Sequence, residues 1–149
     1  MPGKTKFEIK YELPTRLDTV YDSLMDFKKF GELHPYMKQV DLVIDNRPAF
    51  TEYKIVEEVY FFGFIKNHPT YHARVYELEK NKCIQYTSQV KSFIFLTITF
   101  HLSEGQNGEV SIKEEIEIKC NKLIGYIFSD ILKKSHATVF ENIKKLTSL

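Results

Sequence analysis

From Val40 to Lys119 the apolar residues recur at every second position, and only short turn-forming stretches break the pattern. A period of two marks strands that bury one face, because successive side chains point to opposite sides. The breaks fall at Asn46-Arg47-Pro48, Gly63, Lys80-Asn81-Lys82, Lys91-Ser92 and the EGQNG stretch at 104–108. The segments between them are QVDLVID, FTEYKIVEEVYF, TYHARVYELE, CIQYTSQV, FIFLTITFHL and EVSIKEEIEIK. Connections this short close hairpins, so an antiparallel meander is expected. KFEIKYEL near the amino terminus alternates in the same way and adds one more half-buried strand.

Two stretches follow the other period. In PTRLDTVYDSLMDF, Leu17, Val20, Tyr21 and Leu24 recur at helical spacing, and Thr15 with Asp18 resembles a capping box. A second short helix is expected over Phe27–Phe30, stopping near Gly31 before the loop at His34-Pro35. At the carboxy end, Asn121 can cap a helix from Leu123 to Leu149, with no proline and one glycine. Ile124, Phe128, Ile131, Val139, Ile143 and Leu146 form its apolar stripe, interrupted by Ser135.

The order is therefore strand, two short helices, six strands and one long helix. An antiparallel sheet with a helix on one face is an α+β arrangement. This order, with DFKKFGELHPYMKQVDLVI joining the short helices to the second strand, resembles the START/Bet v 1-like superfamily (SRPBCC) of polyketide cyclases and lipid-transfer domains. The resemblance implies a helix-grip fold: a curved seven-stranded sheet around a long carboxy-terminal helix, as one domain over residues 1–149, enclosing a cavity. It implies no fixed catalytic residue.

With 21 basic and 20 acidic residues and no basic block, the charge balance argues against nucleic acid as a partner. No stretch approaches the roughly 20 apolar residues of a membrane span, and the first residues lack a signal peptide's apolar run. Cys83 and Cys120 are too few for a disulfide framework, so a cytoplasmic protein, monomer or homodimer, is expected. His68 and His72 would lie about 13 Å apart on a strand and share no metal. Neither a metal nor another cofactor is expected.

One residue breaks the alternation. In VSIKEEIEIK, residues 110–119, Glu114 falls on the side of Val110, Ile112, Ile116 and Ile118. If EGQNG sets Ile112 against Phe100, Glu114 lies opposite Ile98 and Ile116 opposite Leu96, with Tyr86 beside Ile98 on the next strand. A three-residue turn at Lys80-Asn81-Lys82 adds His72, Arg74, Tyr76 and Leu78 to this inner face; a two-residue turn puts Tyr71, Ala73 and Val75 there instead. A charge among aliphatics needs a partner, a proton or water.

These residues point to binding or transport of a hydrophobic small molecule or lipid in an internal cavity of roughly 300 Å³ or more. Glu114, Tyr86, Tyr76, Arg74 and His34 are the candidate ligand-binding residues. The alternatives are a cyclase or dehydratase using Glu114 or His34 for proton transfer, and a protein-interaction module of the chaperone-activator or quinone-chaperone type. That last reading would work through YFFGFI, residues 60–65, which also reads as an apolar rim for a cavity mouth or an oligomer contact.

Overall fold

The computed structural model describes residues 3–61 and 64–146. Strand β1 (Gly3–Leu13) leads into helices α1 (Leu17–Met25) and α2 (Phe27–Leu33). Strands β2 (Met37–Asn46) and β3 (Phe50–Glu57) follow, then a small hairpin of β4 (Val59–Phe61) and β5 (Ile65–Asn67). Strands β6 (Thr70–Glu79), β7 (Cys83–Val90), β8 (Ile94–Glu104) and β9 (Val110–Cys120) complete the meander, and helix α3 (Lys122–Leu146) closes the chain. Seven strands form one antiparallel sheet in the order β1-β9-β8-β7-β6-β3-β2, while β4 and β5 pair only with each other. The first and last strands lie side by side, so β1 closes the ladder against β9.

The helix starts follow local chemistry. Asp26 caps α2 by accepting the Lys28 N–H at 3.0 Å, and Asn121 caps α3 through the Leu123 N–H at 2.9 Å. The expected Thr15–Asp18 capping box does not form: Arg16 occupies the N-cap, and Asp18 instead accepts the Thr19 N–H. Thr15 is buried, which keeps its hydroxyl away from the first turn of α1.

Helix α3 runs for 25 residues, about 37 Å, across the inner face of the sheet. Its buried side is built from Gly125, Ser129, Ser135, His136, Val139, Phe140 and Ile143. Leu146, placed on the stripe by its spacing, is exposed. Small residues let the helix approach closely: a Cβ at Gly125 would stand 2.8 Å from Thr5 Oγ1 of β1. At its other end the Asn142 side chain donates to the Leu33 carbonyl at 2.9 Å, joining α3 to α2.

Two registers depart from expectation. Glu104 pairs with Val110, so the β8–β9 turn takes in the five residues 105–109, with Gly108 at φ 82°. Glu114 therefore faces Phe100, and Ile98 faces Ile116, a slip of two residues from the expected pairing. A slip of two preserves the face. The β6–β7 turn does have three residues, since Glu79 pairs with Cys83, but Glu77 pairs with Ile84. Leu78 is thus an extra residue, a β-bulge, and it exchanges the two faces of β6. Ala73 and Val75 are buried on the inner face, with Val75 opposite Tyr86.

Candidate functional site

Glu114 is fully buried, at 0% exposure, on the inner face of β9. Its Oε2 accepts a hydrogen bond from Nδ1 of His136, which is itself 3% exposed on the facing side of α3. In the neutral imidazole, a donating Nδ1 leaves the lone pair on Nε2. Glu114 Oε1 and the Tyr11 hydroxyl are both buried without a hydrogen-bond partner among the described residues. Burial, and then the neighbouring Glu114, push the Tyr11 phenol well above its ordinary range.

His136 lines a cavity between the sheet, α2 and α3. Its other walls include Phe30, His34, Glu57, Tyr71, Ala73, Tyr86, Leu96, Ile98 and Leu132. Glu114 stands behind His136 rather than in the wall. The cavity measures about 70 Å³, well below the expected 300 Å³. Aromatic packing accounts for the difference. The Tyr86 ring meets Phe27 at 4.9 Å, Phe100 at 5.1 Å and Phe30 at 5.4 Å, while Tyr11 meets Phe140 at 4.2 Å. These rings occupy most of the space between sheet and helices.

His34 sits in the cavity wall, its ring centroid 6.0 Å from that of His136. Its Nδ1 accepts the Tyr36 N–H at 3.0 Å, which places the ring proton on Nε2. Burial, reinforced by the adjacent His136, lowers its pKa to about 3, so it is neutral at physiological pH. Tyr86 contributes its ring to the wall, but its hydroxyl donates to the Leu24 carbonyl. Burial raises that phenol far above its usual range.

Arg74 and Tyr76 are not part of this site. The bulge at Leu78 turns both to the outer face, where Arg74 Nε donates to Glu52 Oε1 at 2.8 Å and its guanidinium lies 4.1 Å over the Phe50 ring. Tyr76 packs on the same phenylalanine, at 5.9 Å between centroids. Cation–π contact and an ion pair on the solvent side are ordinary surface chemistry.

The cavity wall also holds a second polar pair, Glu57 with Tyr71, the latter being an inner-face residue of the two-residue-turn alternative. Tyr71 donates its hydroxyl to Glu57 Oε2. Burial raises the Glu57 pKa, opposed by the Tyr71 hydrogen bond and by His136. Glu57 and His136 each carry a signal in the sequence. Thr51, Tyr53 and Ile55 are buried, and the same alternation brings Glu57 inward. His136 lies four residues from Leu132 and from Phe140, so it sits on the apolar stripe of α3.

One end of the sheet gathers the small hairpin, the β7–β8 turn and the start of α3, as the pairings Val56–Thr70, Val90–Ile94 and Gly3–Cys120 require. Val59 and Pro69, at the base of the hairpin, line the cavity. Tyr60, Phe64 and Ile65 of the YFFGFI stretch are exposed, Phe64 at 77%. Phe62 and Gly63 lie outside the described residues. Phe93, Leu123 and Tyr126 add exposed apolar surface at the same end.

No family model matches the sequence, and no curated protein matches it. Solved structures do. The START superfamily protein from Mycobacterium smegmatis superposes with a TM-score of 0.74 at 14% identity, covering 97% of this chain and 100% of that one. The Zhui aromatase/cyclase from Streptomyces sp. R1128 gives 0.77 at 9% identity, over 96% and 93% of the two chains. Ara h 8.0201 gives 0.73 at 16% identity, over 97% of both. At such low identities the likeness concerns the backbone alone, and on that ground the chain has the helix-grip fold of START/Bet v 1-like proteins.

Proposed function

We propose that this protein binds a small apolar molecule carrying one polar group, held in the cavity between the sheet and α3. The observation that carries this reading is His136, held from behind by the buried Glu114, in a largely apolar wall that also carries His34 and the Glu57–Tyr71 pair. A buried carboxylate–imidazole pair is a poor device for stability, because removing both groups from water costs about as much as their attraction returns. Recognition of a ligand gives such a pair a purpose. Nε2 of His136 is the group that would orient the ligand's polar end, and Phe30, Ile98 and Leu132 would hold its apolar body. Likeness of fold to an aromatase/cyclase is compatible with small-molecule chemistry, although fold alone does not assign it.

A cavity of about 70 Å³ has room for roughly two water molecules, whereas an engineered cavity of about 150 Å³ takes up benzene. Binding therefore requires the wall to yield, and the half-buried Phe128, Ile131 and Leu132 of α3 are the residues placed to do so. No helix among the described residues is long and apolar enough to cross a membrane.

The test is titration with the fluorescent apolar probe 1-anilinonaphthalene-8-sulfonate, alongside native mass spectrometry of freshly purified protein. Ala73→Leu puts three further carbons into the cavity and is expected to reduce probe affinity at least tenfold without lowering the melting temperature. Equal affinity in both proteins would place the probe elsewhere and remove the basis of the proposal.

A further inference from the structure

One carboxyl group, Glu57, and one imidazole, His136, line this cavity, with a second carboxyl group, Glu114, behind the imidazole. His136 is fixed by Glu114 through Nδ1, which orients the ring and leaves Nε2 as the acceptor. A carboxylate behind a histidine also stabilises the imidazolium formed when Nε2 takes a proton. On the β3–β6 side of the same cavity, Glu57 is held by the Tyr71 hydroxyl at Oε2, with Oε1 still available. Burial raises its pKa, against the Tyr71 hydrogen bond and His136, and in its protonated form the carboxyl can donate a hydrogen bond. Ala73, Leu96 and Ile98 give the cavity apolar wall, and the Ser88 hydroxyl on β7, paired with both Ala73 and Leu96, adds a neutral polar group to it. His34 cannot take the base role through Nδ1, which is occupied by the Tyr36 N–H.

We infer that His136 and Glu57 form a general base and general acid for proton transfer on a small unsaturated ketone, shifting its double bond into conjugation. The inference rests on the binding reading above. Nε2 of His136 removes the proton from the carbon between carbonyl and alkene. The C–H electron pair becomes a new C=C bond, and the carbonyl π pair moves onto oxygen, which Glu57 protonates. The imidazolium then returns its proton to the γ-carbon while the enol proton goes back to Glu57. The product is an isomer of the substrate, both side chains end as they began, and no co-reactant is consumed.

Glu114 is a positioning residue in this scheme. The titratable groups around His136 are Glu114 from β9, Tyr11 from β1, His34 after α2, Glu57 from β3, Tyr71 from β6 and Tyr86 from β7.

The experiment uses cyclohex-3-en-1-one, a six-carbon ring, and follows the ultraviolet absorbance of cyclohex-2-en-1-one as it forms. The intact protein is expected to exceed an equal concentration of imidazole. Glu57→Gln should slow it at least tenfold. His136→Gln, whose amide can still donate to Glu114, should slow it by about 10²-fold or more, the lower range for lost acid–base catalysis. Circular dichroism confirms that each variant is folded. In parallel, methyl signals of Leu96, Ile98 and Leu132 are monitored by NMR during ketone titration. Methyl shifts without turnover, or turnover that survives both substitutions, overturn the acid–base assignment and leave binding standing. Absence of methyl shifts and of turnover overturns both.

Discussion

Glu114 and His136 join the sheet to the long helix through one side-chain hydrogen bond, made in the interior between β9 and α3. Removing one partner leaves the other buried and unpaired. Glu114→Ala and His136→Ala are each expected to cost about 3–5 kcal/mol, as measured by chemical denaturation. Glu114→Gln keeps an acceptor for the His136 Nδ1 proton, and its amide faces the unpartnered Tyr11 hydroxyl. It should cost no more than about 1.5 kcal/mol. A Glu114→Gln loss equal to that of Glu114→Ala would show that charge, not the hydrogen bond, holds the two elements.

His34 makes the fold sensitive to acid. In the folded protein its pKa is about 3, against an ordinary value of 6.5. Between those values the unfolded chain binds a proton that the folded one does not, so stability rises with pH across the window and falls on acidification. The slope from this residue is about 1.4 kcal/mol per pH unit below 6.5. Glu57 acts in the opposite sense. Its raised pKa contributes stability at low pH that is lost as pH climbs above the ordinary carboxylate value. Denaturation at pH 7, 6 and 5 should show the His34 slope, and His34→Gln should flatten it.

Tyr86 anchors α1 to the sheet by donating to the Leu24 carbonyl. Tyr86→Phe keeps the ring in the aromatic cluster and leaves that carbonyl without its donor. The expected cost is about 1–3 kcal/mol. A neutral result in thermal and chemical denaturation would mean that water replaces the hydroxyl there.

Gly31 allows α2 to lie directly on β2. A Cβ at that position would meet Val40 Cγ2 at 2.5 Å. Gly31→Ala should therefore destabilise by about 1–3 kcal/mol through overpacking. Val40→Ala in the same chain should restore part of the loss, and strict additivity in the double-mutant cycle would refute the contact as the cause.

The faces of most strands were legible because alternation is written in the residues themselves. Register was not: pairing Glu114 with Ile98 or with Phe100 leaves every side chain on its own side, so the pattern cannot choose. The bulge at Leu78 has no glycine or proline to announce it, and it moved Arg74 and Tyr76 out of the candidate site while bringing Tyr71 and Ala73 in. His136 was missed for a different reason. Ser135 breaks the apolar stripe of α3, and its neighbour His136 continues that stripe with a polar ring. The size of the cavity depends on how Phe27, Phe30, Tyr86 and Phe100 pack against one another, and that is a property of side-chain conformation rather than of spacing.

The small hairpin gives this architecture a division of labour. Its three rungs, Val59–Asn67, Tyr60–Lys66 and Phe61–Ile65, belong to no other strand, yet Val59 and Pro69 at its base border the cavity. Breaking those rungs leaves every pairing of the seven-stranded sheet intact. Opening of the hairpin and unfolding of the sheet are thus separate free energies, and amide exchange at Tyr60 and Lys66 should proceed by a low-energy local opening, while Glu114 and Ile116 exchange only when the whole molecule unfolds.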